Sequence, residues 1–117
     1  MLRVTDATFM REVEQKPGWV VVKFSAQWCG PCKSVALAMA NMPETMKEVT
    51  FVTVDVEQAE DVVRRLGVRT VPTLTVFHDG VIIDSYENSK GLGEEAIRKG
   101  LQTIMDNYNT KEKADGI

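Results

Sequence analysis

Two cysteines, Cys29 and Cys32, are the residues of this chain best suited to carry out chemistry. They are its only cysteines, and only Gly30 and Pro31 separate them. The apolar, β-branched segment 19–25 before them predicts a buried strand, and Pro31 is typical of the first turn of a helix. A helix N-terminus carries unpaired N–H groups and about half a positive charge, which favour a thiolate. The spacing therefore predicts thiol–disulfide exchange.

The two sulfurs are expected to act in sequence. Cys29, at the end of the loop, is predicted to be the exposed nucleophile that forms a mixed disulfide with a substrate. Cys32, one helical turn further on, would attack the sulfur of Cys29, release the reduced substrate and leave a Cys29–Cys32 disulfide. Gly30 would let the substrate backbone approach, and Pro31 would stiffen the short ring.

Two other interpretations of the cysteine pair remain open. A structural zinc site needs four nitrogen or sulfur ligands, but the chain has no third cysteine and its single histidine is His78. The second interpretation is a pair of inert thiols.

Size and charge narrow the class of protein. A chain of 117 residues fits one domain, and 44% hydrophobic residues suffice for a core. The net charge is −3 and Lys and Arg are not clustered, which argues against direct nucleic-acid binding. No apolar run is long enough to span a membrane, and the first residues lack the apolar region of a signal peptide. We therefore expect a cytoplasmic protein, and we expect a monomer.

The elements that must position the cysteines alternate between strand and helix patterns. Strands are predicted at residues 2–5, 19–25, 50–56, 73–77 and 81–86, and helices at 6–16, 31–40, 58–66 and 94–108. Thr5 or Asp6 would cap the first helix, and Asp79-Gly80 predicts a hairpin. Right-handed crossovers place helices on both faces of a sheet. The pattern thus predicts an α/β protein, a three-layer α/β/α sandwich with a central mixed sheet of about five strands and about four helices. The domain would span residues 1–108, followed by a polar, flexible tail at 109–117.

The run Trp28-Cys29-Gly30-Pro31-Cys32-Lys33 resembles the active-site motif of thioredoxins, and Val71-Pro72-Thr73 resembles the cis-proline segment of that family. The resemblance covers residues 2–108. It implies the thioredoxin fold and a thiol–disulfide oxidoreductase that reduces protein disulfides without a bound cofactor. Electrons would come indirectly from NADPH through a flavoprotein reductase resembling thioredoxin reductase. The implied substrate-binding residues are Trp28, Gly30, Pro31, Val71, Pro72 and Asn88.

The chain departs from the family pattern on the strand before the cysteines. Lys23 stands where thioredoxins usually have a buried aspartate, and Thr53 replaces the lysine that often partners it. Strand alternation puts Asp55 on the same face, so Lys23 is predicted to pair with Asp55. A charged Lys23 near Cys32 would favour thiolate and make the disulfide more oxidising. The alternative is a lysine that reaches solvent and has no role.

Other functions remain open beside a general protein-disulfide reductase. One is a more oxidising, isomerase-like relative, because of Lys23. The other is a non-catalytic subunit of a larger complex that uses the fold but not the thiols. Replacing both cysteines by serine separates these, since only an oxidoreductase would lose its function. Separately, Asn88 aligns where a glycine usually lines the substrate groove in the family, although a shift of the loop would bring Gly91 there instead. This departure leaves the substrate range open, not the reaction.

Overall fold

A five-stranded mixed sheet forms the centre of the protein in the computed structural model, which describes residues 1–87 and 92–115 and, over 112–115, only the backbone. The order in the sheet is β1-β3-β2-β4-β5. Strands β1, β3 and β2 run parallel, whereas β4 is antiparallel to β2 and β5 to β4. The strands are β1 Leu2–Val4, β2 Trp19–Ser25, β3 Val49–Asp55, β4 Thr73–His78 and β5 Val81–Tyr86.

Four α-helices connect or follow these strands in the described part of the chain. They are α1 Gly30–Ala38, α2 Met42–Thr45, α3 Glu60–Leu66 and α4 Glu94–Asp115. A short π-helix, Met10–Glu14, lies between β1 and β2, and a single 3₁₀ turn, Val56–Gln58, follows β3. The observed architecture confirms the predicted α/β sandwich with a mixed sheet.

Strand alternation divides the buried residues into two apolar layers, one on each face of the sheet. On one face, Val21, Phe51 and Leu74 pack against apolar residues of α1, α2 and α4. On the other face, Val20, Val22, Phe24, Val52 and Val54 pack against Phe9, Val13 and Val62. The sheet is therefore covered on both sides, and α1, which follows β2 after a short loop, packs on one of them.

The predicted helix at 6–16 is wrong in extent, since only Met10–Glu14 is helical and in π geometry. Asp6 does not cap this segment. Its carboxylate accepts hydrogen bonds from the backbone N–H groups of Asp61 (3.2 Å) and Val62 (2.9 Å) in α3. A carboxylate at a helix N-terminus satisfies unpaired donors there, so Asp6 stabilises a helix far along the chain.

Two further boundaries differ from the sequence interpretation. Helix α1 ends at Ala38, before the predicted end at residue 40, and a separate helix α2 begins at Met42 with Pro43 in its first turn. Helix α4 continues to Asp115, so the predicted end of the last helix at residue 108 is too early. Across residues 1–87 and 92–115, no helix has the length and apolar character needed to cross a membrane.

Candidate active site

The cysteine pair lies where β2 leads into α1. Cys29 is the N-cap residue of α1, with extended backbone angles (φ −94°, ψ 107°), and Pro31 lies in the first turn. Cys29 and Cys32 form a disulfide, with their Cα atoms 5.3 Å apart. The pair therefore occupies the helix N-terminus that the sequence predicts.

The helix N-terminus acts unequally on the two sulfurs. The Sγ of Cys29 accepts a hydrogen bond from the backbone N–H of Cys32 at 3.2 Å. This N–H and the positive end of the α1 dipole would stabilise negative charge on the Cys29 sulfur after reduction. Because Cys32 is itself inside the helix, the geometry favours a thiolate at Cys29.

Exposure does not distinguish the two cysteines, contrary to the prediction that Cys29 is the exposed one. Cys29 is 4% exposed and Cys32 is 3% exposed. Both pack with Ala26 and with the partly buried Val56 and Val71. The difference between the sulfurs therefore lies in the hydrogen bond that Cys29 accepts from the Cys32 N–H rather than in their accessible surface. Gly30 between them is exposed, and a Cβ added there would meet no protein atom within 4 Å.

The predicted cis proline lies beside the disulfide. The peptide bond between Val71 and Pro72 is cis, and the carbonyl oxygen of Val71 lies 3.9 Å from the Sγ of Cys29. An open cleft of about 310 Å³ runs past this point and is lined largely by apolar side chains, among them Trp28, Val56, Val68 and Val71. A substrate segment lying in this cleft would pass Val71, whose carbonyl oxygen lies beside the sulfur of Cys29.

Trp28 forms one wall of the cleft and is 71% exposed. Its indole N–H donates a hydrogen bond to Oε1 of Glu57 at 2.7 Å. Glu57 is held in turn by the 3₁₀ turn, where its backbone N–H donates to Oδ1 of Asp55 at 2.9 Å. Glu57 is not among the site residues predicted from the sequence. The only local signal is an Asp two residues earlier, which is typical of a cap.

Lys23 is 8% exposed and faces the same side of the sheet as Thr53, its neighbour on β3. Burial, with a smaller effect of the positive charge of Arg3, lowers the pKa of Lys23 from 10.5. The predicted ion pair with Asp55 is not formed: within the described residues Lys23 has no carboxylate oxygen within 4.0 Å. Asp55 caps the 3₁₀ turn instead.

One predicted site residue, Asn88, lies outside the described residues. Among the residues that are described, no group of three or more His, Cys, Asp or Glu side chains is placed to hold a metal ion. The residues brought together at the start of α1 are thus Trp28, Cys29, Gly30, Pro31, Cys32, Val71 and Pro72.

Disulfide exchange needs one sulfur that can be attacked, a second sulfur within its reach and a surface that receives the other partner. All three meet at the N-terminus of α1, on a sheet with helices on both faces. This combination of fold and site defines the class of thiol–disulfide oxidoreductases.

Comparison with known proteins identifies the family. The family model named Thioredoxin matches residues 1–103. Thioredoxin of Mycobacterium tuberculosis is 33% identical over 109 residues, which are 92% of each chain. Thioredoxin 1 of Synechococcus elongatus is 39% identical over 83 residues (70% of this chain, 78% of the relative), and thioredoxin of Mycoplasmoides gallisepticum is 42% identical over 84 residues (72% and 84%). The chain belongs to the thioredoxin family and is a protein thiol–disulfide oxidoreductase that works through a redox-active disulfide.

Proposed function

We propose that this chain reduces disulfides of other proteins, with Cys29 as the nucleophile and Cys32 as the resolving cysteine. The hydrogen bond from the Cys32 N–H to the Cys29 sulfur carries this proposal, because it supports a thiolate at Cys29. The thiolate attacks one sulfur of a substrate disulfide, the Cys29–substrate bond forms, and the second substrate sulfur leaves as a thiolate that takes a proton from solvent. The Cys32 thiol then loses its proton and its sulfur attacks that of Cys29. The Cys29–Cys32 bond forms, the mixed disulfide breaks, the remaining substrate sulfur leaves and is protonated, and two electrons have passed to the substrate.

The cleft beside Cys29 is proposed as the substrate surface. Trp28 and Val71 supply apolar contact, and the backbone of Val71, next to Pro72, offers strand-like hydrogen bonds to an extended segment. Gly30 and Pro31 leave the approach to the sulfur open, since both are exposed. Asn88 is kept as a proposed substrate contact on the family resemblance alone.

Partners and location follow from the same proposal. The oxidised pair would be reduced again by a flavoprotein of the thioredoxin reductase type, with NADPH as the electron source. The only two cysteines of the chain form the active pair, which is typical of a protein in a reducing compartment. We place the protein in the cytoplasm and expect it to act as a monomer, because one chain supplies the whole site.

Single-cysteine variants test the assignment of roles. With a disulfide-containing protein such as insulin as substrate, Cys32→Ser should accumulate a mixed disulfide through Cys29, visible by non-reducing electrophoresis. Cys29→Ser should form none and should not reduce the substrate. A mixed disulfide that accumulates in Cys29→Ser and not in Cys32→Ser would reverse the two roles. Full reduction of substrate by the variant with both cysteines replaced by serine would overturn the proposed function.

A further inference from the structure

A second cleft, of about 470 Å³, lies on the face of the sheet that carries Lys23, and none of its lining residues belongs to the substrate cleft. Its walls include Arg3, Lys23, Ser25, Thr53 and Asp55. Its volume falls within the range of small-molecule binding sites, about 300 to 1,000 Å³. These five side chains are all charged or carry a hydroxyl, so a polar ligand would fit better than an apolar one.

The register of the sheet explains why two cations face this cleft. Arg3 on β1 is paired with Thr53 on β3, and Thr53 is paired with Lys23 on β2. The three residues therefore form one row across the sheet and project from the same face. With strands spaced about 4.8 Å apart, the Cα atoms of the two cationic residues are separated by roughly 10 Å. That separation suits one small group held between two long side chains.

Neither cation has a partner within the described residues. Arg3 and Lys23 make no side-chain hydrogen bond and no ion pair there. Lys23 is nevertheless 92% buried, since its exposed fraction is 8%. The Lys23 ammonium opens into the cleft, where it is partly dehydrated without gaining an opposite charge. A bound anion would supply the missing charge.

The remaining polar groups of the cleft limit what can bind. The hydroxyl of Ser25 lies in the next row of the sheet, beside Asp55, and is available as a donor. The carboxylate of Asp55 holds the 3₁₀ turn through the Glu57 N–H and leaves a negative charge at that end of the cleft. A ligand with a single anionic group directed away from Asp55 is therefore favoured over one with several.

We infer that this cleft binds a small molecule through one oxyanion group, a carboxylate or a phosphate, held between the Lys23 ammonium and the Arg3 guanidinium. The inference does not depend on the exchange reaction and holds for the oxidised protein. Ala26 lines the cleft and also packs against both cysteines, so a ligand here lies close to the disulfide without touching it.

Titration of the ¹⁵N-labelled, oxidised protein tests the inference, with inorganic phosphate and acetate as separate probes at constant ionic strength kept with sodium chloride. Saturable shifts are expected at the backbone amides of Arg3, Lys23 and Thr53. Saturation with phosphate alone identifies a phosphate site, and saturation with acetate alone a carboxylate site. Absence of saturation with both probes overturns the inference.

Variants assign the binding to the two cations. Lys23→Met should abolish saturable binding. Arg3→Gln should weaken binding at least several-fold, and because Arg3 is exposed, this substitution leaves the core intact. Lys47→Met removes an exposed lysine outside the cleft and should bind as the unmodified protein does. If Arg3→Gln keeps the dissociation constant of the unmodified protein, the site is not the one described, whatever Lys23→Met does to folding.

Discussion

The indole N–H of Trp28 donates a hydrogen bond of 2.7 Å to the carboxylate of Glu57, although Trp28 is 71% exposed. An exposed tryptophan without a partner would sample several rotamers. Here Glu57, fixed by its own backbone bond to Asp55, holds the indole against the substrate cleft. The wall of the cleft is thus positioned before a substrate arrives, which lowers the entropy lost on binding.

Glu57→Ala should therefore slow disulfide reduction without unfolding the protein. Loss of a hydrogen bond worth about 1 kcal/mol predicts a roughly fivefold lower kcat/KM for a protein disulfide, mostly through KM. The free energy of unfolding should change by less than about 1 kcal/mol, because the bond is exposed. Glu57→Gln keeps an acceptor oxygen and should retain most of the rate.

Glu48→Ala, which removes an exposed carboxylate elsewhere, is the matched control for charge. In a Trp19→Phe background, the emission of Trp28 should change in Glu57→Ala and not in Glu48→Ala. Equal rates for these two variants would show that the Trp28–Glu57 bond does not position the cleft.

The sequence predicts the hairpin and the cysteine site well because their signals are local. Strands β2 and β5 have the predicted bounds, and Asp79-Gly80 forms the expected turn between β4 and β5. The position of Cys29 at a helix start follows from an apolar strand and Pro31 alone. Each of these features is encoded within a few neighbouring residues.

The predictions from the sequence are wrong where a side chain binds a partner that is distant in the sequence, or binds a backbone group of its own segment instead of the predicted partner. Asp6 caps α3 instead of its own segment, because the packing of the sheet brings Asp61 and Val62 to it. Alternation places Lys23 and Asp55 on one face correctly, but it does not say which partner each side chain meets. Glu57 was missed because its contact with Trp28 exists only after β3 is laid beside β2.

Lys23→Met should make the disulfide less oxidising. A positive charge on the strand that leads to the cysteines favours the thiolates of the reduced form, so its removal favours the disulfide. We expect the unmodified protein to have a potential above about −270 mV, the value typical of thioredoxins, and Lys23→Met to lie lower by about 10 to 30 mV. The measurement is equilibration of the Cys29–Cys32 pair against glutathione or dithiothreitol buffers with thiol alkylation.

Lys47→Met is the control for loss of an exposed positive charge and should leave the potential unchanged. Lys23→Asp, which restores the usual residue type of the family, should shift the potential in the same direction as Lys23→Met and further. An unchanged potential in both Lys23 variants would make this lysine a bystander of the redox reaction.

Lys23 should also make folding stability depend on pH in the alkaline range. Burial lowers the pKa of Lys23 in the folded protein below its unfolded value of 10.5. Between these two pKa values the unfolded state binds more protons, so the free energy of unfolding contributed by Lys23 rises with pH. Below the lowered pKa, the charged Lys23 lowers the free energy of unfolding through its burial, and Lys23→Met lacks this effect.

Urea unfolding of the oxidised protein and of Lys23→Met, from pH 7 to about pH 10, checks this sign. The free energy of unfolding of Lys23→Met should exceed that of the unmodified protein most at pH 7, and this difference should shrink as the pH rises toward 10.5. Lys47→Met should follow the unmodified protein at every pH. If the free energies of unfolding of Lys23→Met and the unmodified protein differ by the same amount at every pH, burial does not disfavour the charged lysine.

Gly80→Ala should be among the most destabilising single substitutions on the surface of this protein. Gly80 has a φ of +81°, and an added Cβ would overlap the backbone carbonyl of Glu14 in the π-helix. A left-handed backbone costs a non-glycine residue about 1–2 kcal/mol, and the forced separation of two backbones adds about 1–3 kcal/mol. Gly67→Ala is the matched control, with a φ of +71° and nothing within 4 Å of the added Cβ. Denaturant unfolding should therefore show that the free energy of unfolding falls by about 1–2 kcal/mol in Gly67→Ala and by clearly more in Gly80→Ala. Equal decreases in the two variants would mean that the hairpin moves away from Glu14 freely.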